Sequence, residues 1–310
     1  MKPAPFEYFC PATLEEALAL LAEHGSDAKP LAGGQSLIPA MNFRLATPAV
    51  LVDLNALTNL AHVTAGDRAI RIGGMTRHRT LETNAEIARD LPLITQTMPF
   101  VAHAAIRSRG TIGGSLAHAD PAAELPAVML ALQATFTLQK QGSARSVPAS
   151  EFFTGLFSTA LEPGEILTEV EVPRTTGRTG YAFDEVSRRH GDFALAGAAA
   201  VVTVDNAGVC TSARVALLSV ADRPVIAGQV SRALVGHALV GQRTPPEGQR
   251  TTPGGQRTTA EMIRDAAEAA AAKDIDPASD IHASSRYRAS LAAVLIRRVL
   301  ERAFHSLESA

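Results

Sequence analysis

Apolar residues at Leu14, Ala17, Leu18 and Leu21 recur at helical spacing and predict a helix over Thr13–His24. Thr13 can cap it, Glu16 three residues on closes a capping box, and Gly25 ends it. "AKPLAG" then reads as a short strand running into Gly33-Gly34, with a helix after the turn. "AVLVDL" (49–54) and "RAIRIGG" (68–74) read as strands. Residues 80–106 carry a mostly helical pattern, broken near Pro92 and Pro99. A second Gly-Gly turn lies at Gly113-Gly114, followed by an apolar helix through "ELPAVMLAL". "ATFTLQK" and "EILTEVEVP" read as strands, the latter alternating with period two, and "PRTTGRTG" (173–180) reads as a linker.

The pattern then changes. "YAFDEVSRR", "LAGAAAVVTVD" and "VCTSARVALLSV" predict three strands, and helices follow at about 229–240, 259–273 and 285–305. In the last, Leu291, Val294, Leu295 and Val299 share one predicted face, and the alanine-rich 266–272 stretch suits close packing. Strands followed by helices suggest a separate α+β domain. The tetrapeptide GQRT recurs at 241, 248 and 255 among Pro, Gly and Thr, so residues 241–258 are expected to form a flexible surface loop.

Composition narrows the classes. With 310 residues, 46% of them apolar, the chain can bury a sizeable core and suggests two domains. Its 29 basic and 31 acidic residues form no basic tract, which argues against a nucleic-acid partner. The opening segment lacks the apolar core of a signal peptide, and no apolar run reaches the roughly 18 residues of a membrane span. The expectation is a cytoplasmic mixed α/β protein. Cys10 and Cys210 are too few to hold an iron–sulfur cluster, and two unpaired, structurally buried thiols are expected.

Candidate chemistry concentrates at the glycine turns. Glycine permits positive φ and lets a ligand approach the backbone. Gly33-Gly34-Gln35-Ser36 and Thr111-Ile112-Gly113-Gly114-Ser115 both precede helices, where successive N–H groups can form an anion nest. Two such nests could clamp a pyrophosphate, and as surface elements their glycines would leave room for it. Plain turns are the competing reading, and spacing alone does not separate the two. Gly73-Gly74 reads as a simple strand exit. No G-x-G-x-x-G and no G-x-x-x-x-G-K-[ST] occurs, so neither a Rossmann nor a Walker site is indicated. His118, Asp120 and Glu124 contain metal-ligand side chains, but no further histidine motif supports a metal, and none is assigned. Arg107 and Arg109 are weak candidates either to form a salt bridge or to face a phosphate, and Arg188–Asp192 reads as a solvated loop or an interface.

"PLAGGQSLIPAMNFRLATPAVLVDL", "IRSRGTIGGSLAHADPAAELPAVMLAL" and "YAFDEVSRRHGDFALAGAA" closely resemble the FAD-binding medium subunit of the molybdenum hydroxylases, the xanthine dehydrogenase and carbon monoxide dehydrogenase family. The resemblance spans nearly the whole chain. It implies an α+β protein with the vanillyl-alcohol-oxidase-like (PCMH-type) FAD-binding fold: two α/β subdomains, about 1–56 and 57–175, followed by a smaller C-terminal α+β domain over 180–307. It implies that Ala32, Gly33, Gly34, Gln35, Ser36 and Leu37 form one FAD loop and Thr111, Ile112, Gly113, Gly114 and Ser115 the other. His118 and Glu124 match further polar contacts to FAD, Leu167 an apolar residue beside adenine, and Phe193 an aromatic residue over the flavin ring. Asp184-Glu185 stands where some relatives carry a flavin-contacting lysine, and Phe193 where some carry tyrosine.

The same resemblance implies a molybdenum-cofactor large subunit and a small subunit with two [2Fe–2S] clusters, in a dimer of heterotrimers. Electrons would pass from the clusters to FAD and on to an external acceptor, with no catalytic acid or base in this chain. Two rivals are a self-contained flavin oxidase or reductase of the same fold, and a non-enzymatic scaffold that has kept the fold without the flavin.

Overall fold

The structure is a computed structural model and describes residues 2–239 and 259–308, so the predicted loop at 241–258 lies outside the described residues. The chain forms two compact units: residues 1–174 with 190–192, and residues 175–189 with 193–310.

In the first unit, the helix Leu14–His24 begins as the local pattern predicts. The Thr13 hydroxyl accepts from the Glu16 N–H at 3.2 Å, and Glu16 Oε2 accepts in return from the Thr13 N–H. The helix buries Ala17, Leu18 and Leu21 with Val50 and Val52 of a three-stranded sheet and with Leu54 just past it. That sheet is all parallel, with Val50–Asp53 between Glu7–Phe9 and Ala28–Leu31. All four residues of the central strand are buried, which is why it reads as a continuous apolar run rather than an alternation.

A second sheet in this unit is antiparallel, in the order Val63–Ala65, Ala69–Gly73, Ile166–Pro173, Thr135–Lys140 and Ser143–Pro148. Between its second strand and Thr135–Lys140 the chain makes six short helices: His78–Thr83, Ala85–Asp90, Pro92–Thr97, Ala104–Arg107, Ile112–His118 and Glu124–Ala131. Pro92 sits in the first turn of its helix, where its missing N–H costs nothing, and the break falls at Leu91 just before it. Asn84 separates two helices and caps the second through the N–H groups of Glu86 and Ile87. The strand Ile166–Pro173 is bulged between Leu167 and Glu169, and the bulge hands the Thr168 carbonyl to Gly74.

The second unit holds a four-stranded antiparallel sheet, Arg178–Ser187, Ala194–Val204, Cys210–Leu218 and Val225–Ile226 in that order. The helices Gly228–Leu234, Thr259–Lys273 and Ser285–Glu308 share one apolar core with it. The first of these is shorter than predicted. Val235 leaves the helix in extended backbone, and Gly236 turns at φ +88° to give its N–H to the Cys210 carbonyl. On Ser285–Glu308 the buried face is Ala292, Leu295, Ile296, Val299, Leu300 and Ala303, with Leu291 partly covered. Val294, predicted on that face, is exposed, because the small residues Ala292 and Ala303 sit at the contact instead. The alanine stretch packs as expected through Ala266, Ala267 and Ala270.

Close helix-to-strand approach in this unit depends on Gly180. A Cβ there would stand 2.0 Å from the Ala303 carbonyl oxygen. Gly180→Ala should therefore lower stability by at least about 2 kcal/mol in denaturant unfolding, because a rigid backbone atom must move. A midpoint unchanged from wild type would contradict that packing.

Candidate functional site

Both sequence-predicted turns lie where the parallel sheet ends. Residues 32–36 follow the carboxyl end of Ala28–Leu31, and Asn55 follows that of Val50–Asp53, the side of a parallel sheet on which ligands bind. Gly34 takes φ +71°, a conformation L-residues rarely adopt. The N–H groups of Gly33, Gly34, Gln35, Ser36 and Leu37 have no protein acceptor among the described residues. The Gln35 side chain folds back and donates to the Gly33 carbonyl at 3.1 Å. The following helix, Leu37–Asn42, is only six residues long, so the free amides and not its dipole are what this turn offers an anion.

The second turn is built differently. The segment 74–78 runs beside 110–113 and consumes its backbone groups. Gly113 N–H donates to the Gly74 carbonyl at 2.8 Å, Ile112 N–H to Thr76 at 3.0 Å, and His78 N–H to Gly110 at 2.9 Å. Gly114 N–H donates to the Thr111 hydroxyl, which caps the helix Ile112–His118, and Ser115 N–H to the Thr111 carbonyl. This turn therefore has no free run of amides from Ile112 to Ser115. Nor are its glycines surface elements: Gly113 is buried, and a Cβ on it would lie 2.6 Å from the Gly74 carbonyl oxygen. Gly73-Gly74 is correspondingly more than a strand exit. A Cβ on Gly74 would stand 2.3 Å from the Leu167 carbonyl, and one on Gly73 2.1 Å from that of Leu60.

The two turns meet backbone to backbone. A Cβ on Gly33 would stand 2.4 Å from the Arg109 carbonyl oxygen and 2.8 Å from the Gly110 Cα, and one on Gly114 would touch the Ala32 side chain at 3.4 Å. Polar side chains surround this contact. Asn55 Nδ2 donates to the Ala32 carbonyl at 3.0 Å and also to Asp53 Oδ1. Arg77 donates to Asn55 Oδ1 at 2.6 Å and to the Arg109 carbonyl. Tyr8 donates to Asp53 Oδ2 at 2.5 Å. Asp53, Asn55, Arg77 and Gly74 escape a reading of the sequence. They belong to no motif and come from two separate stretches, 53–55 and 74–77. The one available signal is the position of Asn55 just past a buried strand.

The remaining candidates are placed as follows. His118 is half-buried at the end of its helix, with its ring 5.1 Å from that of Phe157. Glu124 opens the next helix and is buried; burial, with the Asp120 charge adding, raises its carboxyl to about 7. Leu167 is buried at the strand bulge. Phe193 belongs to the second unit and is 71% exposed. In that unit Asp184 faces Arg302 at 3.2 Å and Arg298 at 3.9 Å, so this acidic position serves an internal ion cluster. Arg107 faces no phosphate. It is buried against both Glu82 oxygens and the carbonyls of Val101 and Ala102. Arg109 is exposed and makes no ion pair among the described residues. Both cysteines are free, but only Cys210 is buried; Cys10 is exposed, contrary to expectation, because its edge strand ends at Phe9. No group of three metal-ligating side chains occurs among the described residues, and none of their helices is long and apolar enough to cross a membrane.

Comparison with known proteins covers both units. A family model described as the FAD binding domain in molybdopterin dehydrogenase matches residues 4–175. One described as the CO dehydrogenase flavoprotein C-terminal domain matches residues 181–248 and 250–303. The 6-hydroxypseudooxynicotine dehydrogenase complex subunit alpha of Paenarthrobacter nicotinovorans is 40% identical over 98% of this chain and 96% of its own length. The carbon monoxide dehydrogenase medium chain of Afipia carboxidovorans is 39% identical over 98% of each. Among solved structures, carbon monoxide dehydrogenase from Hydrogenophaga pseudoflava superposes with a TM-score of 0.89 at 35% identity, over 98% of this chain and 99% of that one.

Two tests follow from this geometry. Gly113→Ala should lower the stability of the flavin-free chain itself by about 2 kcal/mol or more, because its methyl meets protein backbone. Unfolding indistinguishable from wild type would show that the Gly74–Gly113 contact is loose. The second concerns pH. Burial lowers His78 to about 4, although its hydrogen bond to the Thr111 carbonyl opposes this, so its stabilising contribution is present above 6.5 and lost as pH falls to about 4. Glu124 acts oppositely: its contribution is full below about 4.5 and lost by about 7. Glu124→Gln should leave stability rising from about pH 4 to 6.5 and flat from 6.5 to 7, where the wild type still declines. Parallel curves for the two proteins would sink the assignment.

Proposed function

The chain belongs to the family of FAD-binding subunits of molybdopterin dehydrogenases, and from that premise we propose that it is the electron-transfer flavoprotein of a molybdenum hydroxylase complex. Its partners are a large subunit with the molybdenum cofactor and a small subunit with two [2Fe–2S] clusters, assembled as a dimer of heterotrimers. The redox chemistry itself, uptake of electrons from those clusters and their release to an external acceptor, belongs to the bound FAD. The residues of this chain bind and orient it.

The observation that carries this reading is the run of unused N–H groups from Gly33 to Leu37, at the carboxyl ends of parallel strands and pressed against the second glycine turn. Such a run suits a diphosphate, whose several oxygens accept from successive amides. The contribution of Thr111–Ser115 is a rigid wall, with the Ser115 hydroxyl and the half-buried His118 as its polar groups. Glu124 is suited to hold a ribose or ribityl hydroxyl. In its protonated form it can donate as well as accept, and with its carboxyl near 7 both forms are populated at neutral pH. Leu167 offers an apolar surface to adenine. No side chain here is assigned as an acid or base toward the organic substrate, and the large subunit selects that substrate.

The full chain should purify with about one noncovalent FAD, a stoichiometry expected of a single diphosphate site, and release it on denaturation. Release of FMN, or flavin that stays attached, would refute the diphosphate site. The complex's substrate should bleach the flavin only when the molybdenum and iron–sulfur subunits are present. Equally fast bleaching of the isolated chain in stopped-flow absorbance would make it a self-contained oxidase.

A further inference from the structure

Arg77 is tied to both sides of the contact between the two glycine turns, directly to one and through Asn55 to the other. One arm of its guanidinium donates to the Arg109 carbonyl, immediately before Gly110. The other donates to Asn55 Oδ1 at 2.6 Å. Asn55 in turn donates to the Ala32 carbonyl at 3.0 Å, immediately before Gly33. The asparagine is itself held by Asp53, which accepts from the Asn55 backbone N–H at 2.9 Å and from Tyr8 at 2.5 Å. A continuous set of hydrogen bonds thus joins a carbonyl of one turn to a carbonyl of the other. We propose that Arg77 is a positioning residue for FAD: a clip, backed by Asn55, Asp53 and Tyr8, that fixes the spacing of the two turns and so slows escape of the cofactor. This inference rests on the flavoprotein reading above.

Three features favour the clip over an incidental surface contact. The contact it spans has no slack, since Gly33 already lies where a Cβ would overlap the Arg109 carbonyl. Small displacements therefore separate the turns rather than being absorbed. Arginine also presents donors in a rigid planar fork, so it can hold two acceptors at a set distance, which the single ammonium of lysine cannot do. Finally, no carboxylate forms a direct ion pair with Arg77 among the described residues; Asp53 is reached only through Asn55. Its charge is left for the neighbouring carbonyls and for an anion on the Gly33–Leu37 amides. The turn Thr111–Ser115 has no free N–H group from Ile112 to Ser115 with which to grip an anion, so its placement against the open turn rests on contacts such as this one.

The test measures FAD release from the full chain by recovery of free-flavin fluorescence after dilution, alongside urea unfolding of the flavin-free chain. Arg77→Met should speed release by about tenfold or more, and Arg77→Lys should remain at least about threefold faster than wild type because charge without the fork is not enough. Asn55→Ala should speed release alone but add less than about twofold in the Arg77→Met background, since the two act as one unit. The visible circular dichroism of bound flavin should shift in both single variants. Tyr8→Phe, at the outer end of the set, should give a smaller effect in the same direction and keeps the test decisive if Arg77→Met does not fold. Wild-type release rates in Arg77→Lys, additive effects of Asn55 and Arg77, or lost apo-stability with unchanged release and dichroism would each overturn the clip. Wild-type protein that holds no FAD would instead overturn the flavoprotein reading on which the clip depends.

Discussion

The site depends on one backbone contact without a side chain in it. Gly33 lies against the carbonyl of Arg109 and the Cα of Gly110, at a distance that a single methyl group would abolish. Two stretches almost eighty residues apart in sequence are thereby brought to one edge of the parallel sheet. Glycine at position 33 is needed there for close approach rather than for an unusual φ; the positive φ belongs to its neighbour Gly34. Asn55 and Arg77 hydrogen-bond to the carbonyls on its two sides, and the N–H groups from Gly33 to Leu37 are left free beside it.

What it leaves free is unequal on the two sides. Around Gly113 every backbone N–H from Ile112 to Ser115 has a protein acceptor, because the segment 74–78 has zipped against it and Thr111 caps the helix. Around Gly34 the N–H groups from Gly33 to Leu37 have none among the described residues. Orphan amides at an exposed turn are tolerable in water but become favourable when an anion accepts from several at once. In the proposed flavin site the stiff turn would serve as a reference surface and the open turn would supply the donors, so that a diphosphate is held while the ends of the dinucleotide stay oriented.

Burial tunes two nearby groups in opposite senses. His78 packs under the stiff turn and is kept neutral, which preserves its donation to the Thr111 carbonyl without placing a cation in the core. Glu124 is kept partly protonated at neutral pH, which suits a hydroxyl-rich ligand better than a fixed charge would. In the second unit Arg107's counterpart in structural duty is Arg288, which is buried and tied to the Leu195 carbonyl and to Asp280 at 2.6 Å each. Neither arginine needs a ligand to explain its burial, because each is already paired.

Sequence alone determined the elements whose signals are local. The capping box at Thr13 and Glu16 rests on interactions within a few residues, and the alternation of Ile166–Pro173 and the apolar runs of the three long strands from Arg178 on show in the residue pattern itself, although their ladder partners lie farther along the chain. The glycine turns were legible as candidates, and the length of their motifs made the family recognisable. Tertiary structure decided the rest, because the deciding distances join residues far apart in the chain. Gly74 looked like a strand exit until Leu167 and Gly113 were seen on either side of it. Arg107 was open to a salt bridge or to a phosphate until Glu82 was seen to pair with it. Val294 looked buried until the alanines of its helix met the sheet instead. Asn55 and Arg77 carry no motif at all: their importance lies in which two carbonyls they reach, and only the folded chain brings those carbonyls together.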